Sequence, residues 1–187
     1  MSERGDRGPL SDQLVAEVPA LRAFARSLTM NHALADDLVQ ETVLKAWAKL
    51  DRFEPGTKMR AWLFTILRNT FLSIMRKRAR EVEDVDHAHA ARVVELPAQS
   101  GVPDLVDFKR AYTQLPPPQR EALILVCAAG FTYDEAAEIC GVAPGTVKSR
   151  VNRARKKLSE MLPHLSQDLS SVEPVTLSVL GTHFAKL

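Results

Sequence analysis

Apolar positions in this chain recur at helical spacing, and glycine and proline cut the runs at intervals. Leu14, Val18, Leu21, Ala25 and Leu28 fall three or four residues apart, which predicts a helix from about Ser11 to Leu28 with one inward face. Pro19 stands inside that run and removes a backbone donor, so a kink or break is expected there. Asn31 suits the cap of a second helix reaching about Leu50, with Val39, Val43, Ala46, Trp47 and Leu50 as its inward stripe. Pro55-Gly56 marks a loop over residues 51–57. A long third helix follows to about Arg80, its broad apolar face made by Met59, Trp62, Leu63, Ile66, Leu67, Thr70, Phe71 and Ile74. Periodicity stops at Glu81 and returns after Pro103 in four shorter helices, at about 104–114, 118–129, 132–140 and 145–161. Pro116-Pro117-Pro118, Gly130 and Gly141 separate them. No β pattern precedes the tail, so the predicted fold is all-α.

The expected organisation is a flexible N-terminus (1–9), a helical domain (10–80), a linker (81–103), a second helical domain (104–162) and a flexible tail (163–187). Charge sharpens this division. The net charge is only +2, but residues 52–80 hold eight cations against Glu54 alone. Residues 81–107 hold seven acids against Arg92, and residues 144–162 hold six cations against Glu160. Two basic blocks on helices, parted by an acidic linker, point to two nucleic-acid surfaces. No run of about 18 apolar residues exists, and the N-terminus lacks the apolar centre of a secretion signal, so a cytoplasmic protein without a membrane span is expected. Cys127 and Cys140 sit in helical patterns and read as small core residues.

Residues 132–158 carry the clearest chemistry. Gly141 can take the left-handed conformation that ends one helix and opens a tight turn, and Pro144 fits the first turn of the next. Val147, Val151, Ala154 and Leu158 form the buried stripe of that last helix, while Lys148, Arg150, Arg153, Arg155, Lys156 and Lys157 occupy its other faces. Helix, glycine turn and basic helix is the arrangement that places a recognition helix in the DNA major groove. In the loop and third helix, Phe53, Trp62 and Phe71 lie among Arg60, Arg68 and the 76–80 cluster, a mixture suited to single strands, whose bases stack and whose phosphates need neutralising. Core packing is the competing reading for Trp62 and Phe71, whereas Phe53 in the loop is expected to be exposed. On the second helix, Asp37, Gln40, Glu41 and Leu44 share a separate face, acidic with one leucine, suited to a basic protein partner or simply to solvent.

Four blocks, DDLVQETVLKAW (36–47), WLFTILRN (62–69), LPPPQREALIL (115–125) and EAAEICGVAPGTVKSRVNRARKKL (135–158), resemble those of extracytoplasmic-function (ECF) sigma factors in order and spacing. The last block looks most like the EcfG-like subgroup of the general stress response. The resemblance implies that Asp37, Gln40, Glu41 and Leu44 bind the β′ clamp helices of core RNA polymerase. It implies that Phe53, Lys58, Arg60, Arg68, Asn69 and Arg76 serve the promoter −10 element as single strand. It gives Thr146, Lys148, Ser149, Arg150, Asn152, Arg153 and Lys157 to the −35 duplex, and sets the body of the second domain against the β flap. A NepR-like anti-sigma factor, removed by a PhyR-like mimic, is the implied control; no metal, cofactor or catalytic residue is implied.

Three other classes fit the sequence less well. An enzyme lacks support: the five histidines are scattered, and no phosphate loop or nucleophile elbow occurs. A duplex-binding activator without polymerase would use 132–158 but leave the acidic face and the first basic block idle. A sigma mimic would be expected to carry a receiver domain, for which the 25 residues after Leu162 are too few.

Overall fold

The computed structural model describes residues 8–54, 57–83 and 103–163; the linker, with two of the scattered histidines, His87 and His89, and the tail beyond Pro163 lie outside the described residues. Every regular element among them is helical. Helices α1 (Gly8–Thr29), α2 (His32–Ala48) and α3 (Met59–Glu83) form one bundle. Helices α4 (Pro103–Thr113), α5 (Pro117–Leu123), α6 (Tyr133–Cys140) and α7 (Pro144–Met161) form a second.

Helix α1 runs through Pro19 without the expected break. Pro19 lies on the exposed side, where water can take up the backbone carbonyl that loses its donor. Leu14, Leu21, Phe24 and Ala25 face inward. Asn31 caps α2, its side chain accepting from the Leu34 amide at 2.9 Å. The inward face of α2 is Ala35, Leu38, Val39, Thr42 and Ala46, followed by Leu50 in a short 3-10 turn. Trp47, predicted inward, is instead 43% exposed, and Leu44 is 70% exposed. The stripe is therefore rotated: Leu38, Thr42 and Ala46, four residues apart, mark its centre and leave Trp47 at the edge.

On α3 the buried residues are Met59, Leu63, Phe64, Leu67 and Thr70, with Trp62, Ile66, Phe71 and Ile74 half-buried. Phe64 lies outside the predicted stripe yet is fully buried, because a second surface covers that side of the helix. Its ring stacks on Phe24 of α1 at 4.9 Å and meets Phe131 of the second bundle edge-on at 5.0 Å. One continuous core thus crosses both bundles.

The second bundle follows the predicted punctuation. Pro117 opens α5, and Gly141, at φ 64°, ends α6 in the left-handed conformation. The chain continues α5 as a π-helical turn over Ile124–Ala128, where the Ala129 amide reaches back five residues to the Ile124 carbonyl at 2.8 Å. Gly130, at φ 73°, then turns the chain so that Phe131 enters the junction between bundles. Thr132 and Glu135 close a capping box at the start of α6.

Candidate nucleic-acid and polymerase interfaces

Three surfaces follow from this frame, and the structure treats them differently. On α2, Asp37, Gln40 and Leu44 point outward as expected. Glu41 is half-buried and pairs with Lys45 one turn on at 2.7 Å, while the Lys45 ammonium also donates to Thr70 of α3 at 3.2 Å. Glu41 is thereby tied into the α2–α3 packing. Trp47, on the edge of the α2 stripe, adds an aromatic group to the outward face. Asp36, on the next face, pairs with Arg22 of α1 at 3.2 Å.

The second surface, at the loop and α3, is turned against the second bundle. Phe53, expected to be exposed, is 8% exposed and packs on Trp62 at 5.2 Å between ring centres. The 3-10 turn at Leu50–Arg52 folds the loop back and tucks the ring in. Lys58 forms an ion pair with Glu135 of α6. The Arg60 guanidinium sits 5.7 Å from the ring centres of both Phe64 and Phe131. Arg68 donates to Glu121 of α5 at 2.6 Å, with both side chains largely buried. Asn69 and Arg76 remain exposed. The junction also holds the buried Tyr112, whose hydroxyl shares a hydrogen bond with Ser27 of α1.

Electrostatics mark the acidic half of the junction. The Glu135 carboxyl is held down at about 2, first by Lys58, then by the Thr132 amide and hydroxyl, at 2.8 and 3.0 Å. Cys140 is pushed up to about 12, chiefly by burial, with nearby Glu121 adding to the shift. The unfolded thiol ionises from about pH 9 while the folded one keeps its proton, so this group favours the fold at neutral pH and ceases to do so as pH rises through the folded value. Alkylation of the native chain at pH 8 is accordingly expected to spare Cys140 and to reach it in urea, as read by mass spectrometry. Labelling at equal rates in both conditions would contradict this burial.

The third surface, on α7, is open. Lys148, Asn152, Arg153 and Lys156 are exposed, while Thr146, Ser149 and Arg150 are half-buried at the start of the helix. Val147, Val151, Ala154 and Leu158 make the buried stripe, as the spacing predicted. Lys157 is exposed too, its ammonium donating to the Gln114 carbonyl at the end of α4 at 3.3 Å, and the half-buried Arg155 lies against Cys127 at 3.3 Å. Sequence reasoning missed Glu121, Phe131 and Glu135. Two left a signal: Thr132-x-x-Glu135 is a capping-box pattern, and Glu121 stands four residues before the buried Leu125.

Helix, turn and basic helix stand beside a bundle with an aromatic and cationic edge, and comparison with known proteins gives this arrangement its family. Residues 14–81 match Sigma-70 region 2, and residues 105–158 match Sigma-70 region 4. The chain is 57% identical over 153 residues to the ECF RNA polymerase sigma factor EcfG of Rhodopseudomonas palustris, covering 82% of this chain and 84% of that one. It is 32% identical to the RNA polymerase sigma factor CarQ of Myxococcus xanthus, over 89% of this chain and 96% of the other. Among solved structures it is similar to the sigma factor RpoE in complex with the anti-sigma factor NepR from Bartonella quintana. That likeness has a TM-score of 0.75 and 55% identity, and covers 83% of this chain and 97% of that one. The chain belongs to the extracytoplasmic-function sigma factors of the sigma-70 family. Within the family its likeness is to EcfG, and its relatives are initiation factors without catalytic activity of their own. Among the described residues no helix is long and apolar enough to cross a membrane, and no group of three or more His, Cys, Asp or Glu residues is placed to hold a metal ion.

Proposed function

We propose that this chain is a cytoplasmic sigma factor that directs core RNA polymerase to general-stress-response promoters under the control of a NepR-like anti-sigma protein. Residues 10–80 act as region 2 and 104–162 as region 4, joined by the 81–103 linker. In this reading Asp37, Gln40, Leu44 and Trp47 meet the β′ clamp helices, and the body of region 4 meets the β flap. Lys58, Arg60, Arg68, Asn69 and Arg76 serve the −10 single strand, and the open face of α7 serves the −35 duplex. The observation that carries the regulatory part is the Bartonella quintana relative, a sigma factor bound to NepR and 55% identical in sequence. For duplex reading the support is the exposed row Lys148, Asn152, Arg153 and Lys156 on a helix whose opposite side is core.

Run-off transcription with purified core polymerase tests the reading directly. The chain is expected to start transcription at promoters of its own genome, and an added NepR-type protein is expected to stop it. Failure to start at any site, with every inhibitor absent, would sink the assignment. Arg153→Glu is expected to weaken −35 duplex binding by roughly 10- to 100-fold and to flatten its dependence on salt, because a phosphate contact and its released counterion are lost. An unchanged salt slope would remove α7 from the DNA.

A further inference from the structure

We infer that region 4 of the free chain is a one-sided latch: Glu121, Glu135 and Phe131 occupy on region 2 the places that phosphates and a base of single-stranded DNA would take, while the duplex-reading face of α7 stays open. The inference rests on the reading of α3 as the strand surface and adds its regulation. Three cations of region 2 reach the junction, Lys58 just before α3 and Arg60 and Arg68 on it; Arg60 also lies 3.7 Å from Glu17 of α1, and the other two find their carboxylates on region 4. Lys58 and Arg68 hold carboxylates, as they would hold phosphates, and Arg60 lies against the Phe131 ring, as it would against a base. A cavity of about 640 Å³ opens beside Lys58, with Arg52, Phe53, Glu54 and Trp62 on its region 2 side and Glu135 and Glu138 of α6 on the other. Region 2 alone would offer a strand Arg52 and Lys58 against Glu54; with α6 in place Glu135 and Glu138 tip that wall to three carboxylates against two cations.

The arrangement is asymmetric. Region 4 spends α5, α6 and Phe131 on the junction, whereas Lys148, Asn152, Arg153 and Lys156 remain exposed on α7. Opening exchanges one partner for another, carboxylate for phosphate, so the latch yields to DNA or polymerase without leaving a buried charge stranded. The duplex element is therefore available before the strand element.

The test uses the full chain, with Glu135→Gln and Glu121→Gln singly and together. Glutamine at 135 keeps the acceptor that caps Thr132 while removing the charge that holds Lys58. Probes are the labelled −10 non-template strand and the −35 duplex of a promoter that supports run-off transcription, read by anisotropy, with the radius of gyration from small-angle scattering. The double variant is expected to bind the single strand on the order of 10-fold more tightly, to bind the duplex as before, and to expand. The Glu135→Gln variant alone, at a half-buried position less enclosed than Glu121, is expected to move the same way by a smaller factor, which covers the case of a misfolded double variant. Unchanged strand affinity and unchanged dimensions would overturn the latch. Expansion without tighter strand binding would instead overturn the strand reading of α3, and the latch with it. A parallel gain on duplex would show that the latch is not one-sided.

Discussion

Replacing Leu44 with aspartate is expected to abolish assembly with core RNA polymerase while leaving the thermal midpoint of the free chain where it is. Leu44 is 70% exposed, so its loss touches little of the folded core, and surface substitutions of this kind stay within about 0.5 kcal/mol. On binding, the same side chain would bury its apolar surface for about 1.5–3 kcal/mol. An aspartate in that place must lose its hydration as well, at a further few kcal/mol. The face is already acidic, and one more negative charge adds some attraction to a basic partner. That gain is about 1 kcal/mol or less at an exposed site, too small to offset the rest. A net loss of about 4 kcal/mol corresponds to roughly 1,000-fold in affinity. Co-elution of the variant with core polymerase reads the result, with Leu44→Met as the control that keeps size and apolarity. Wild-type co-elution of the aspartate variant would place the polymerase contact on another face. Trp47→Ala is expected to weaken assembly as well, since an aromatic group beside an exposed leucine is the usual composition of an interface centre.

The helices themselves were legible, and for local reasons. Asn31, Pro117, Gly141 and Pro144 act through their own backbones and need no knowledge of the rest of the fold. The stripe of α7 was legible because one flat bundle covers it, so a single periodic face suffices. Three features were not. Trp47 shares its helical phase with Val43 and Leu50, and only the position of α1 and α3 decides which edge of the stripe is covered. Phe53 was read as exposed because loops usually are, but the 3-10 turn at 50–52 is set by contacts that no nearby residue announces. The use of Arg68 and Lys58 as partners of Glu121 and Glu135 depends on residues 53 and 77 positions away in sequence. Charge segregation located a basic surface; it carried no information about which protein groups would sit on it in the folded chain.

Phe64 accounts for the second large effect. Its side chain is fully buried, stacked on Phe24 and edge-on to Phe131, so Phe64→Ala is expected to cost about 3–5 kcal/mol through lost burial and the cavity left behind. For a chain of this length that lowers the midpoint of thermal unfolding by roughly 10 °C. Phe131→Ala removes a ring that meets region 2 only from the other side of the junction, and its cost depends on how closed the free chain is. The pair therefore measures closure. If the two rings meet in solution, the double variant should be less destabilised than the sum of the singles by about 0.5–1.5 kcal/mol, the usual value of an aromatic pair beyond its buried area. If the bundles move apart in solution, the two changes add without interaction, and Phe64→Ala still carries its cost through Phe24. A large effect of Phe64 with strict additivity would thus keep the region 2 core and remove the contact on which closure of the junction depends.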